Sequence, residues 1–205
     1  MVLGQKNKID VGVEGGPSIA FQRGNEILSS YNNLRIGFSC GLFFQYNFPK
    51  LFSLRSNIAY EQKGSSMSFS TIDTNGNSSV IKGCSNFNYL TIPILFRTTF
   101  GNKIKYFINV GTFIGYLISQ KYIYKNDLFP PNNASSQYKP FDFGLSCGLG
   151  FEIPVKGNLI ISCELRNNLG LLNIAKGKIY NDGSIKTNST NLLIGIAYKL
   201  GIGQK

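Results

Sequence analysis

Strict alternation of apolar and polar residues runs through most of this sequence. From Ile36 to Tyr46 every even position is apolar or aromatic, whereas the odd positions are mostly glycine, serine and glutamine. A side-chain period of two is the pattern of a β-strand whose two faces meet different surroundings. The alternation recurs in eight segments, most of them about 10 to 13 residues long, and none of them requires a helix. The sequence therefore predicts an all-β protein.

The lengths of the segments and of their connections both favour strands that cross a membrane. A tilted strand needs roughly 9 to 11 residues to cross a bilayer, more than the usual strand of a soluble sheet. The connections after the second, fourth and sixth segments are short: Asn47–Leu51, Gly101–Lys105 and Pro154–Asn158. The connections after the first, third, fifth and seventh are long and polar: Gln22–Asn33, Gly64–Asn86, Tyr122–Lys139 and Asn173–Asn188. This asymmetry is typical of outer-membrane barrels, whose short turns are periplasmic.

All charges within the predicted strands fall on the same face. The apolar face carries none, as contact with lipid demands, whereas a soluble ligand-carrying barrel would place that apolar face inside. An interior of eight strands is too narrow for so many large apolar side chains, and the polar face is rich in small glycines. The charged residues of that face are Asp10, Glu14, Glu61, Asp142, Glu152, Glu164, Arg35, Arg55, Lys63, Arg97, Lys121, Arg166 and Lys199.

Together these features predict an eight-stranded antiparallel up-and-down transmembrane β-barrel with short periplasmic turns and long extracellular loops. Aromatic residues of the apolar face cluster near both ends of the strands, as expected for the two membrane interfaces. We expect residues 1–205 to form one barrel domain, with 1–7 as a periplasmic N-terminal segment and 201–205 as a C-terminal tail. The expected location is the outer membrane, crossed several times.

Two groups of charged residues are candidate sites. Buried acids and bases must pair, so we expect a network of salt bridges that fills the lumen together with Phe43, Phe107 and Phe113, rather than a transport path. Its predicted members are Arg35, Glu61, Lys63, Arg97, Asp142, Glu152, Glu164 and Arg166. A periplasmic basic belt of Lys50, Lys103, Lys105 and Lys156 would face anionic lipid headgroups or, alternatively, an acidic periplasmic partner. The scattered lysines do not indicate nucleic-acid binding.

Composition argues against catalysis. The chain has no histidine, which removes the usual general base and the commonest metal ligand. No motif for a cofactor or metal is present, so we expect no catalytic, cofactor-binding or metal-binding residues. The four cysteines have no metal-ligand spacing and are expected to be mostly free, although Cys147 and Cys163 could face each other across a hairpin and form a disulfide.

Four stretches resemble the PorT-like outer-membrane β-barrel family of Bacteroidetes. They are Val11-Gly-Val-Glu-Gly-Gly-Pro17, Tyr60-Glu-Gln-Lys-Gly64, Tyr89-Leu-Thr-Ile-Pro-Ile-Leu-Phe-Arg97 and Gly144-Leu-Ser-Cys-Gly-Leu-Gly-Phe-Glu152. The resemblance implies a small eight-stranded barrel in a family whose namesake takes part in protein secretion by the type IX system. One departure is the C-terminus, which ends in Gly201-Ile-Gly-Gln-Lys205 rather than in the terminal aromatic residue common in outer-membrane barrels.

From the residues and this resemblance we expect a non-enzymatic scaffold or accessory subunit of an envelope complex, with the link to protein secretion implied by the resemblance. Its expected partners are outer-membrane lipids and another envelope protein, without nucleic acid. Two alternatives stay open at this point. One is a small pore, and the other is a binding protein that uses its lumen or its surface loops as an adhesin does.

Overall fold

A computed structural model describes residues 9–25, 32–49, 51–72, 78–124, 132–155, 157–179 and 183–200. Within these residues, eight long strands account for most of the chain. They are β1 (Ile9–Arg23), β2 (Arg35–Asn47), β3 (Phe52–Ile72), β4 (Ser78–Phe100), β5 (Lys105–Tyr124), β6 (Phe141–Pro154), β7 (Leu159–Gly170) and β8 (Lys186–Leu200). Two-residue strand segments, Asn32–Asn33 and Asn132–Asn133, and one 3₁₀ turn, Ser135–Gln137, complete the secondary structure of the described parts.

The eight long strands close into a ring. Each strand pairs antiparallel with its neighbours in the chain, and β1 pairs with β8 from Ile9↔Leu200 to Arg23↔Lys186. The ring has no open edge along its barrel portion, because every strand there has two partners. The predicted up-and-down barrel is confirmed. No helix in the described residues is long and apolar enough to cross a membrane.

The two faces of the ring are the reverse of those of a soluble protein. Leu42 on the outside is 64% exposed, whereas its neighbour Phe43 points inward and is 5% exposed. The largest fully buried side chains include three cations, Arg55, Arg97 and Lys63. Charged residues are almost never buried without partners, so the polar interior and apolar exterior are those of a barrel surrounded by lipid.

Aromatic pairs mark two levels on the outer wall. Phe52 stacks on Phe96 near the short turns. At the opposite end Tyr116 packs edge-on against Phe141, with 5.5 Å between ring centroids. Phe100–Tyr106 belongs to the first level and Phe38–Tyr60 to the second. These levels correspond to the interfacial girdles that the sequence predicts.

The strands and connections extend much further at one end of the barrel than at the other. The short connections span 48–51, 101–104 and 155–158, as predicted. The predicted long loop Gly64–Asn86 is wrong, because β3 and β4 continue through it as a paired hairpin from Gly64↔Asn86 to Ile72↔Ser78. The two strands are 21 and 23 residues long. Beyond the membrane both faces of a strand meet water, so the contrast that reveals a lipid-facing strand disappears from the sequence.

A β-bulge changes the parity of β5. Asn88 pairs with Ser119 and Tyr89 with Leu117, so Ile118 is an extra residue. Beyond it Gln120 points inward and is fully buried, whereas Lys121 is exposed on the outside. The prediction that Lys121 belongs to the polar interior is therefore wrong. An inserted residue shifts all later side chains to the opposite face.

Candidate functional site: the charged lumen

Glu14 on β1 is the centre of a first cluster of ion pairs, in the half of the lumen near the short turns. Arg55 and Asn57 on β3 both donate hydrogen bonds to its carboxylate. Arg166 on β7 approaches from the other side, with 2.8 Å between Nη1 and Oε1 of Glu14. Glu14 therefore joins strands that are not neighbours in the ring.

The cluster continues from Arg166 across the lumen. Arg166 donates to both oxygens of Glu164, at 2.8 Å from Nε and 2.7 Å from Nη2. Arg97 lies 3.6 Å from Glu164 and 3.4 Å from Glu152. Asn109 ties Arg97 to Glu164, since it accepts from Nε of Arg97 at 2.9 Å and donates to Glu164 at 2.8 Å. Three arginines thus alternate with three glutamates in one buried row of ion pairs. The positive and negative charges of this row balance.

A second cluster surrounds Glu61, closer to the long-loop end. Its carboxylate accepts hydrogen bonds from neutral side chains on three strands: Thr91, Asn168, Ser189 and Asn191. Lys63 places its Nζ 3.7 Å from Glu61 and 3.5 Å from Asp142. Asp142 also accepts a 2.6 Å hydrogen bond from Thr187. Both acids and the lysine are almost completely shielded from solvent.

Aromatic rings fill the space between the charged groups. The Arg55 guanidinium lies 3.5 Å from the Phe43 ring centroid, and that of Arg97 lies 3.7 Å from Phe107. Nζ of Lys63 is 4.2 Å from the centroid of Phe113. A cation on an aromatic face gains electrostatic attraction, most of all when both are desolvated. These contacts stabilise the buried cations beyond their ion pairs.

A glycine on the adjacent strand makes room for each of these rings. Gly12 pairs with Phe43, and a Cβ added at Gly12 would lie 2.6 Å from Cζ of that ring. Gly150 beside Phe107 and Gly144 beside Phe113 would meet the same obstruction, at 2.6 Å and 2.7 Å. The glycines on the polar face are therefore required by close packing inside the barrel.

Residues from two connections cover the long-loop end of the lumen. Tyr138, before β6, and Ile174, after β7, pack with Phe87, Tyr89 and Leu117 in a buried apolar cluster. The Lys139 amide donates to the Ile174 carbonyl at 2.7 Å. The hydroxyls of Tyr122 and Tyr138 lie 2.6 Å apart. Burial, aided by the hydrogen bond with Tyr122, raises the pKa of the Tyr138 phenol above its ordinary value.

This barrel combines a closed eight-stranded ring with an apolar outer wall and a packed polar interior. That combination is typical of outer-membrane β-barrels. A family model described as "Outer membrane protein beta-barrel domain" matches residues 4–176. The chain belongs to this family. It is an outer-membrane protein that crosses the bilayer with its strands.

Several solved structures are similar to this outer-membrane barrel. Neisserial surface protein A is 13% identical with a TM-score of 0.50, over 93% of this chain and 97% of that chain. The N-terminal barrel domain of OprF from Pseudomonas aeruginosa is 10% identical with a TM-score of 0.48, over 94% and 98%. Ail, the attachment invasion locus protein of Yersinia pestis, is 11% identical with a TM-score of 0.43, over 94% and 99%. A comparison with curated proteins finds no match.

The predicted lumen residues separate between the two clusters of the outer-membrane barrel. Arg97, Glu152, Glu164 and Arg166 lie in the first, and Glu61, Lys63 and Asp142 in the second. Arg35 lies beside the network instead of in it. It is half-buried, its Nη1 is 3.3 Å from the Lys63 carbonyl, and no ion pair joins it to an acid within the described residues. Its position at the start of β2 leaves it above the level of the acids.

Two central residues of the network, Glu14 and Arg55, are not among the candidate site residues that the sequence predicts. Their parity places both on the polar face, but nothing in the sequence ranks them above other charges there. Their importance comes from the register of the ring, which sets Glu14 opposite Arg55 and Arg166. Strand parity gives the face of a residue, whereas its partners depend on the stagger of the closed barrel.

The other predicted positions can be located in part. Lys103 is exposed and Lys105 is half-buried at the short-turn end, whereas Lys50 and Lys156 lie outside the described residues. All four cysteines are free. Cys147 pairs with Asn167 and Cys163 with Phe151, so the two cysteines do not face each other across the hairpin and the possible disulfide is absent. No group of three or more Cys, Asp or Glu in the described residues could hold a metal ion.

Proposed function

We propose that this outer-membrane barrel is a non-enzymatic scaffold, an accessory subunit of an envelope complex that acts through its outer surfaces. The observation that carries the proposal is the filled lumen. Six side chains of alternating charge occupy it, together with three aromatic rings that each contact a cation. A barrel with a blocked interior can still present binding surfaces at its two rims and on its wall.

A pore is the less favoured alternative. At the short-turn end the cavity bounded by Asp10, Arg55, Arg97 and Glu152 has a volume of about 10 Å³. That is room for about one water molecule. Tyr138 and Ile174 cover the opposite end. Solutes would have to displace buried ion pairs, and leaving a buried charge without its partner is strongly unfavourable.

The lumen also lacks the arrangement that acid–base catalysis needs. The chain contains no histidine. A catalytic pair of carboxylates requires environments that keep one group protonated and the other ionised. Here Glu14, Glu152 and Glu164 each form an ion pair with an arginine, so the three carboxylates share one kind of environment instead of the two that such a pair requires. These features support a protein without enzymatic activity.

The resemblance to the PorT-like barrels of Bacteroidetes suggests the complex that this scaffold serves. We propose protein secretion as its context, with a protein partner on the periplasmic side. The short turns support this, since Lys103 and Lys105 offer positive charge there. An acidic partner surface would complement them.

A pull-down from native outer membranes in mild detergent tests the scaffold. We expect one or a few envelope proteins to co-purify in fixed ratio, and their loss with Lys103→Glu/Lys105→Glu. Lys176→Glu/Lys178→Glu, two exposed residues at the other rim, is the matched control and should retain them. The absence of any stable partner in the pull-down would contradict the proposal. Planar-bilayer recordings complete the test, because conductance steps of porin size would also contradict it.

The tall hairpin of β3 and β4 favours a second candidate, binding at the cell surface. Above Gly83, which pairs with Tyr124, β4 has no partner on its β5 side among the described residues, and the hairpin stands as a two-stranded ribbon. Unpaired strand edges can accept an extended segment of another protein. Replacing 66–84 by an Asn-Gly turn joins the paired residues Ser65 and Ser85. This variant should still fold as a barrel. It should lose surface binding if the ribbon is the binding element and retain it otherwise.

A further inference from the structure

Lys121 has a position that its sequence pattern does not predict. The extra residue Ile118 turns its side chain from the lumen to the outer wall. Bulges in barrels serve to redirect side chains. Without this one, Lys121 would point into a lumen whose charges already have partners. The bulge therefore places a cation on the outside of the barrel at the long-loop end.

The height of Lys121 is set by the aromatic pair below it. Tyr116 and Phe141 are 50% and 55% exposed on the outer wall and mark the membrane interface. On the paired strand β4, Tyr116 lies opposite Leu90 and Lys121 opposite Asn86. Four residues of a tilted strand correspond to roughly 10 Å along the membrane normal. Lys121 thus lies just above the girdle, and its flexible stem can bring the ammonium down to the headgroups.

A second lysine lies lower on the same side. The Leu117 amide donates to the Pro140 carbonyl at 2.7 Å, which sets the preceding residue, Lys139, beside the bulge. Lys139 is exposed, whereas its neighbour Tyr138 is buried in the apolar cluster that covers the long-loop end of the lumen. Lys139 therefore lies within the layer of roughly 5 to 8 Å that polar headgroups occupy on each side of a bilayer.

The surroundings of the two lysines are polar but uncharged. Lys121 is flanked across the strands by Asn86 and Asn133. Below it Asn88 donates to Ser119 at 2.9 Å. Within the described residues no ion pair joins Lys121 or Lys139 to an acid, and both side chains are exposed on the outer surface. An outer-membrane wall at headgroup height meets lipid, and the anionic group of a lipid headgroup is its phosphate.

We propose that Lys121 and Lys139 form a binding site for the phosphorylated headgroup of an outer-leaflet lipid, with Tyr116 and Phe141 against its acyl chains. The site would fix the orientation and depth of the barrel. It does not depend on the proposed scaffold function, because it uses the lipid-facing wall at the long-loop end of β5 and β6.

Native mass spectrometry of the full chain in neutral detergent tests the site. The probes are lipid A with two phosphates and the same lipid after removal of both phosphates. We expect the phosphorylated lipid to bind more tightly. Lys121→Gln and Lys139→Gln should each weaken it roughly fivefold, and the double variant about thirtyfold. Lys121→Arg should retain binding. Heat-modifiable migration verifies that each variant is folded.

Lys103→Gln/Lys105→Gln is the matched control, because it removes the same charge from the opposite rim. Equal losses in the two double variants would mean that binding follows net charge, which overturns the proposal. Equal affinity for the two lipids would also overturn it, as would full displacement of the lipid by millimolar inorganic phosphate, which would indicate a site for free phosphate.

Discussion

Arg166 on β7 reaches past β8 to Glu14 on β1, with 2.8 Å between Nη1 and Oε1, although the two residues are 152 positions apart in the chain. The same guanidinium holds Glu164 on its own strand. Arg166 therefore connects the beginning of the barrel with its end. Because the network is buried, removing Arg166 would leave three glutamates with only two arginines, and therefore one uncompensated negative charge.

Arg166→Ala should lower the free energy of unfolding by about 3 to 5 kcal/mol, the usual cost of removing one partner of a buried ion pair. Urea titrations of the protein in phospholipid vesicles measure it. Arg166→Lys should recover only part of the loss, since a lysine cannot make the paired contacts of a guanidinium. Lys103→Ala on an exposed turn is the control and should change stability by about 0.5 kcal/mol or less. Similar losses for the two alanine variants would contradict a stabilising role for the network.

The inside and outside of the barrel could be predicted residue by residue, because lipid and lumen impose opposite demands on alternate side chains. Ile94 and Thr91 illustrate it, since the first is 52% exposed on the wall and the second is 2% exposed beside Glu61. The partners of buried charges could not be predicted in this way. They depend on the stagger of the closed ring, which places Glu14 opposite Arg166 and leaves Arg35 outside the network.

The extramembrane part of the strands escaped prediction for a different reason. Between Gly64 and Asn86 serine and glycine are frequent, which favours a loop, yet 64–72 and 78–86 continue the paired strands β3 and β4. The bulge at Ile118 is equally invisible, since an apolar residue there fits the alternation up to that point. The alternation alone therefore predicts the wrong face for Lys121. Apolar–polar alternation predicts the two faces of a strand where one face contacts lipid. It does not predict them in the parts of the strands beyond the membrane.

Ile94→Arg tests the lipid-facing wall. Ile94 lies between the two aromatic levels of the outer wall, where an arginine costs roughly 2 to 4 kcal/mol. The matched control is Ile123→Arg, on the same face but above the girdle, where the arginine meets water. Thr91→Lys adds a lumen comparison, because a lysine there could pair with Glu61. Refolding titrations into lipid vesicles should show the largest loss for Ile94→Arg. Equal or reversed penalties would refute the assignment of inside and outside.

Gly12→Ala tests the packing of the lumen. The new methyl group would lie 2.6 Å from Cζ of Phe43 and 2.3 Å from the Ile196 carbonyl oxygen. Because the backbone of β8 cannot easily move away, we expect a loss of about 1 to 3 kcal/mol, the usual cost of overpacking. Gly177→Ala, where nothing lies within 4 Å, is the control and should be close to neutral. A stable Gly12→Ala variant in urea titrations would mean that the interior is looser than the structure indicates.

The stability of the apolar cluster that covers the long-loop end should depend on alkaline pH through Tyr138. Burial and the hydrogen bond with Tyr122 raise the pKa of its phenol in the folded protein above the unfolded value of about 10. The folded state thus holds this proton more tightly. Its stabilisation is complete below about pH 10 and is lost as the pH rises through the folded pKa. The difference between the alkaline absorbance titrations of the wild type and Tyr138→Phe isolates this one phenol. We expect it to ionise well above pH 10, and at lower pH in Tyr122→Phe, which removes the hydrogen bond but leaves the burial. Ionisation near pH 10 in the wild type would show that Tyr138 is in contact with water and that the mouth of the barrel is open.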